Sequence, residues 1–213
     1  MTSDEQFWWN WWVNVAVAGG TLAAVLVALF GEWLRARMFT PKLAIELDKP
    51  LGVPTPVQLT SPNGESHMEA GRFYHVRVSN SARWPAATQV QVNLIRIEEP
   101  GPDGGWQVKW AGEVPLRWSL QEIRPLTRVL GPPALCDLCS VVKGKWVELH
   151  PLIVPHNLAE LARRREKVQM IVTLQAQAAE GNSGFVRIKI AWDGGWKDGE
   201  AEMEKHLIVR VVD

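Results

Sequence analysis

The sequence predicts a mainly β protein, an antiparallel β-sandwich preceded by one N-terminal transmembrane α-helix, and three observations carry that expectation. Residues 11–30 read WWVNVAVAGGTLAAVLVALF without a single charge, about the 20 residues needed to cross a hydrocarbon core of about 30 Å. Downstream, short apolar runs alternate with polar residues at period two and are bounded by Gly, Pro, Asn and Asp. No long helical pattern lies between those runs, as the crossovers of a parallel sheet would require. At 213 residues and 46% hydrophobic content, the chain has room for one ordinary domain and an appendage.

The appendage comes first. Residues 1–10 form a short extracytoplasmic N-terminus and residues 11–34 the span. Trp12 and Trp33 lie 21 residues apart, close to 30 Å at about 1.5 Å per residue, so each end carries an interfacial aromatic anchor. A cleaved secretory signal is not expected. The chain opens MTSDEQ, acidic where a signal is basic, and cleavage after Ala18 would leave an apolar new terminus. Arg35, Arg37 and Lys42 sit in a basic juxtamembrane linker, residues 35–42, whereas no Lys or Arg precedes the helix. Short basic flanks stay on the cytoplasmic side, so the domain at 43–213 is expected to be cytoplasmic.

An amide in hydrocarbon is costly unless it turns toward another helix or water. Asn10, Asn14, Val17, Thr21, Ala24, Ala28, Gly31 and Arg35 follow one another at alternating steps of four and three, the seam of a left-handed helix bundle. Leu22, Val25, Leu26 and Leu29 lie off that seam. A second row, Ala16, Gly20, Ala24 and Ala28, repeats a small residue at every fourth position, which lets two backbones approach closely. The seam residues Asn10, Asn14, Thr21, Ala24 and Ala28 therefore predict self-association and candidate pore-lining positions. The competing reading places Asn10 and Asn14 in the headgroup region, where amides are harmless.

In the domain, a strand is expected around residues 43–47, a Pro- and Gly-bearing loop at 50–66, and then strands in RFYHVRVSN (Tyr74, Val76 and Val78 inward), TQVQVNLIRI (Val90, Val92, Leu94), VQMIVTLQAQA (Val168, Met170, Val172, Leu174), FVRIKIAW (Val186, Ile188, Ile190) and LIVRVV (Leu207, Val209, Val211). GWQVKW, CDLCSVV and KWVELH add further short strands. HNLAELARRREK, residues 156–167, is the helix candidate. This many short strands predicts an immunoglobulin-like sandwich.

The stretch FYHVRVSNSARWPAATQVQVNL resembles the strand-turn-strand of immunoglobulin-like domains in bacterial surface and membrane proteins, with Tyr74, Val76, Val78, Asn80, Pro85, Ala86, Val90 and Val92 on a loose YxVxVxN and PAxxVxV pattern. The layout, a short N-terminal span before a β-rich domain, is similar to that of small membrane effectors of bacterial antiphage systems. In those effectors the soluble part senses a nucleotide or oligonucleotide and the helices assemble into a pore. The resemblance implies a bacterial inner-membrane protein of single pass.

Lys plus Arg equals Asp plus Glu at 23 each, so an anionic partner needs a local patch. The densest is RRREK. Arg163, Arg164, Arg165 and Lys167 are the anion-binding candidates, for a lipid headgroup, nucleotide or oligonucleotide, against the plainer reading of a solvated helix end. Cys136, Cys139, His150 and His156 graze a zinc-binding order, but Pro151 and Pro155 break the helix that would bring the histidines to one face. DGGW occurs at 103–106 and 193–196, expected as hairpin turns beside Trp106, Trp110, Trp192 and Trp196, which are stacking candidates if exposed. There is no phosphate-cradling Gly-Lys loop and no nucleophile elbow. No cofactor is expected, nor an enzyme. The expected partners are the lipid bilayer, further copies of the chain, and a nucleotide, oligonucleotide or protein ligand of the domain.

Overall fold

The structure is a computed structural model that describes residues 3–38, 40–61, 63–82, 86–119 and 125–212. Met1, placed in the periplasm by the charge argument, and Pro85 of the strand-turn-strand pattern lie outside the described residues. The chain forms two compact units, residues 1–40 and 41–213.

The first unit is α1, Ser3–Met38, of 36 residues. It therefore runs past both ends of the stretch read as the span and into the basic linker. Its section Phe7–Gly31 is long and apolar enough to cross a membrane. Residues 7–30 are all exposed. Phe7, Trp8, Trp11 and Trp12 stack edge to face along one end, with ring centroids 4.8–6.0 Å apart, and Trp33 stands exposed near the other.

The second unit is mainly β and antiparallel. Its strands are β1 (Leu43–Leu47), β2 (Val53–Thr60), β3 (Ser66–Asn80), β4 (Ala87–Pro100), β5 (Trp106–Pro115), β6 (Arg128–Leu130), β7 (Ala134–Val142), β8 (Trp146–Leu149), β9 (Arg163–Arg164), β10 (Val168–Ala178), β11 (Gly181–Asn182), β12 (Val186–Trp192) and β13 (Leu207–Val212). The first sheet has the order β1-β3-β7-β8-β9, with β2 also on β3, and curls into a half-barrel. The second has the order β13-β12-β10-β4-β5, with β11 on β10 and β6 on β4.

The inward parity of the expected strands holds. Tyr74, Val76, Val78, Val90, Val92, Leu94, Val168, Met170, Val172, Leu174, Ile188, Ile190, Leu207 and Val209 all belong to one hydrophobic core shared by the two sheets, which is the main driving force for closing them on each other. Val211, expected inward, is exposed on the edge strand β13 although it pairs with the buried Ile188.

The expected loop at 50–66 is instead largely β2. Pro54 and Pro56 argue against a strand, since proline cannot donate to a ladder. However, β2 pairs only with β3, so it is an edge where a missing N–H costs nothing. Val53, Thr55, Val57 and Leu59 then alternate toward the protein with the prolines outward. The preceding turn needs Gly52, at φ +69°, where a side chain would be strained.

A bulge at Leu138 has the longest reach. Tyr74 pairs with Cys139 and His75 with Asp137, leaving Leu138 with no partner on β3. The extra residue reverses the alternation of β7. Cys136 and Cys139, three apart, thus both point into the core and are fully buried, while Asp137 and Ser140 share the outer face with His75 and Phe73. Beyond β5 the chain leaves the second sheet and crosses to the first. Leu116 and Trp118 form bridges with Pro151 and Cys136, and Arg117 and Ser119 are carried to the same outer face.

Candidate functional site

Arg163, Arg164, Arg165 and Lys167 do not form a helix end. Pro155 opens a turn of 3-10 helix, His156–Leu158, followed by the single turn α2, Ala159–Ala162. Leu158 and Ala162 are buried, which anchors that turn, and at Arg163 the backbone becomes extended, at φ −133° and ψ 116°. There β9 joins the edge of β8. Helix propensity over so short a segment is worth a few tenths of a kcal/mol per residue, less than the pairing and charge contacts that replace it. Arg163 donates to Glu148 at 2.6 Å and lies over the Trp146 ring at 4.8 Å. Arg164 donates to Glu99. Two of the expected anion ligands are thus already engaged by carboxylates.

Arg165 and Lys167 are exposed. Lys167 lies between two adjoining cavities. One, of about 280 Å³, is lined by Glu99, Arg164, Glu166 and Lys167 among others. The other, of about 390 Å³, is lined by Lys167, Trp192, Asp193, Lys205, His206 and Ile208 among others. The larger is within the usual range of small-molecule pockets. Its acid is partly claimed, since the His206 ring lies 2.9 Å from Asp193.

Of the tryptophans beside the DGGW turns, Trp106 alone among the four is clearly at the surface. Trp110 and Trp192 are buried, their indole N–H groups donating to Asn157 Oδ1 at 3.3 Å and to the Gly195 carbonyl at 2.9 Å. Trp196 packs against the core and donates to Asp198 at 2.8 Å. The first DGGW closes the β4–β5 hairpin, whereas the second begins the longer connection from β12 to β13 that includes α3, Glu200–Met203. Both use a glycine at positive φ, Gly104 and Gly194.

The zinc order fails on geometry. Among the described residues no cluster of three metal-ligating side chains is present. Cys136 and Cys139 are free thiols whose pKa values burial pushes up, which disfavours the thiolate a metal needs. His156 is exposed at the start of its turn.

His150 belongs to a different cluster, one that sequence reading missed. Its ring is buried and stacked on Phe73, with centroids 5.4 Å apart and planes at 5°. Burial lowers its pKa to about 4, helped by the Arg117 guanidinium. The neutral ring accepts from Arg117 at Nδ1, 3.0 Å, and so carries its proton on Nε2, which donates to Ser140 Oγ at 2.8 Å. Alongside, Asp137 Oδ1 receives His75 Nδ1 at 3.0 Å and the Ser119 hydroxyl at 2.5 Å. Burial opposes ionisation of Asp137, but those hydrogen bonds outweigh it and hold the carboxyl below its ordinary value. Ser119, His75 and Asp137 are not arranged for nucleophilic attack. The hydroxyl meets the same nitrogen, Nδ1, as the carboxylate, so no base stands on the far side of the ring to take its proton. What the cluster does is fasten the crossing segment to β7. The contacts of His75 and His150 span 10–62 residues of the chain, so no local spacing marks them. The available signal was the outward parity of His75 and Asp137 on strands whose inward residues are apolar.

In α1, Asn10, Asn14, Thr21, Ala24 and Ala28 are exposed, and the Thr21 hydroxyl donates to the Val17 carbonyl at 2.8 Å. Thr21 thus satisfies its donor within its own helix and keeps acceptor capacity outward.

The chain matches no protein-family model, and no curated protein is similar to it.

Proposed function

We propose that the protein is a single-span, homo-oligomeric membrane effector whose cytoplasmic domain, an immunoglobulin-like sandwich in this reading, senses an anionic ligand of nucleotide or oligonucleotide type and gates a helix-bundle pore, as the small antiphage effectors of similar layout do. The bacterial inner membrane is its location. The observation that carries this reading is α1: an apolar helix whose residues 7–30 are all exposed needs lipid or further helices around it, and its small and polar residues share one seam. Lys167, which lines the 390 Å³ cavity, and the exposed Arg165 are the cations of the RRREK run left to meet a phosphate. An alternative, a membrane-anchored adaptor, is favoured by the edge strand β13, whose outer backbone is unpaired among the described residues and suits strand addition by a protein partner.

Ala24→Leu or Ala28→Leu is expected to prevent close helix approach and convert oligomers of the detergent-purified full-length protein to monomers, with Leu26→Ala leaving them intact. Chemical cross-linking reads this directly, and equal effects of both kinds of substitution would remove the seam. Replacing Asn14 and Thr21 together with Leu is expected to abolish membrane permeabilisation on overexpression at unchanged protein level, since leucine inserts more readily than asparagine. A dye-leakage assay showing full permeabilisation by the double variant would instead support the adaptor.

A further inference from the structure

The second sheet gathers cations that the sequence disperses. On its outer face Arg210 on β13 lies directly opposite Lys189 on β12, and that row continues through Ile171 and Glu98 to Val108. The next row places Arg187 beside Thr173 and Arg96. Glu98 is nearly buried and ion-paired with Arg187 at 3.1 Å. At the far end of the face, Glu113 is held by Asn93 and Gln177. Arg96, Lys189 and Arg210 are therefore uncompensated by the acids of this face among the described residues. Like charges directly opposite on neighbouring strands destabilise a sheet, so the Lys189 and Arg210 pair is a cost that an external anion relieves.

Large apolar side chains stand among these cations. Phe185 is 64% exposed, Val108 53%, Ile208 41% and Trp106 36%. Lys189 reaches over the Trp106 ring, its Nζ 5.8 Å from the centroid, which occupies one face of the indole that this sheet exposes for base stacking. Cations interspersed with exposed aliphatic and aromatic groups are the composition of a surface that lies in a lipid headgroup layer. Residues 39–42 are all that separate α1 from β1 in the chain, which keeps the domain at high effective concentration near whatever bilayer holds the helix. The cytoplasmic leaflet is the anionic one.

We infer that the outer face of the β13-β12-β10-β4-β5 sheet is a docking surface for anionic phospholipid headgroups, contacted through Arg96, Lys189 and Arg210 with Phe185, Val108 and Ile208 entering the interface. This rests on the membrane-span reading of α1. Each such cation near an anionic bilayer strengthens binding about fivefold, so the three together contribute about a hundredfold.

The test uses the full-length protein carrying Phe185→Cys in nanodiscs, with alkylation by a water-soluble maleimide as readout. Cys136 and Cys139 are buried and stay silent. Alkylation at position 185 is expected to be at least about tenfold slower in phosphatidylglycerol-rich discs than in phosphatidylcholine discs. It should recover in high salt and in the Arg96→Gln, Lys189→Gln, Arg210→Gln background. Glu65→Cys, in an exposed loop of the first sheet, should react equally in both lipids. Equal rates at position 185 in the two lipids would overturn the inference. So would protection in phosphatidylcholine discs that appears only when a single-stranded oligonucleotide is added, which would give the face to nucleic acid. A protein that fails to enter discs of either lipid would overturn the span, and the docking surface with it, by an outcome distinct from an inserted protein with a lipid-blind sheet.

Discussion

Acidification from pH 6.5 to about 4 is expected to remove about 3 kcal/mol of stability from the β domain through His150 alone. The ring titrates near 6.5 when unfolded and, by burial, near 4 when folded, and each pKa unit corresponds to about 1.4 kcal/mol. Between those values the unfolded chain binds the proton and the native state does not, so stability falls as pH falls and the slope from this group ends below about pH 4. Asp137 adds a lower window of the same sign. Its folded pKa is depressed, so its contribution is present above the ordinary carboxylate value and is lost as pH drops through the folded one. His150→Gln can still accept from Arg117 and donate to Ser140 but cannot titrate. Urea unfolding followed by fluorescence should show a flattened profile between pH 6.5 and 4 for this variant, with the drop below pH 4 retained. Matching slopes for variant and wild type would show that His150 is not buried as a neutral ring.

Arg72 is the second position of large effect. Its side chain is almost wholly buried, at 1% exposure, yet it carries a full charge. Nη1 donates to the Leu51 carbonyl at 2.8 Å and Nη2 to the Asp198 carbonyl at 3.4 Å, while Nε has no hydrogen-bond partner among the described residues. Glu200 approaches to 3.9 Å but is itself more than half exposed. The guanidinium therefore ties the turn before β2 to the connection between β12 and β13. Arg72→Ala opens a void and strands two carbonyls, an expected loss of about 3–5 kcal/mol. Arg72→Met fills most of the void and strands only the carbonyls, an expected loss of about 1–3 kcal/mol. Glu200→Gln should cost less than about 1 kcal/mol, because the exposed carboxylate is screened by water. Urea midpoints for the three variants should fall in that order, and an Arg72→Ala midpoint equal to that of Glu200→Gln would remove the tie between the sheets.

The sequence did not reveal the role of either position. Arg72 was given no role, although it shares the parity of the inward residues Tyr74, Val76 and Val78, and His150 was read only as a member of a zinc-binding order. The same limit applied to RRREK, where five consecutive charged residues invited a helix face. Local propensity could not register that Glu148 and Glu99, 15 and 65 residues away, would draw Arg163 and Arg164 onto a sheet edge. The cationic face of the second sheet was hidden for the same reason, since Arg96, Lys189 and Arg210 are far apart in the chain and adjoin only through strand pairing.

What the sequence by itself determined is local and periodic. The uncharged apolar run made the membrane-length section of α1, and period-two alternation made the strands and chose which of their side chains enter the core, because burial of one face is decided by residues two apart. Even the cysteines, three apart, could be assigned to a strand. Tertiary structure alone decided the rest: the bulge at Leu138 that turns both cysteines inward, the edge position that lets Pro54 and Pro56 sit in β2, the half-barrel curl of the first sheet, and the clusters around His150, Arg72 and Lys189. Each depends on which strand lies beside which. That choice is made by the closure of one shared core over long separations in the chain, where no local pattern records the partner.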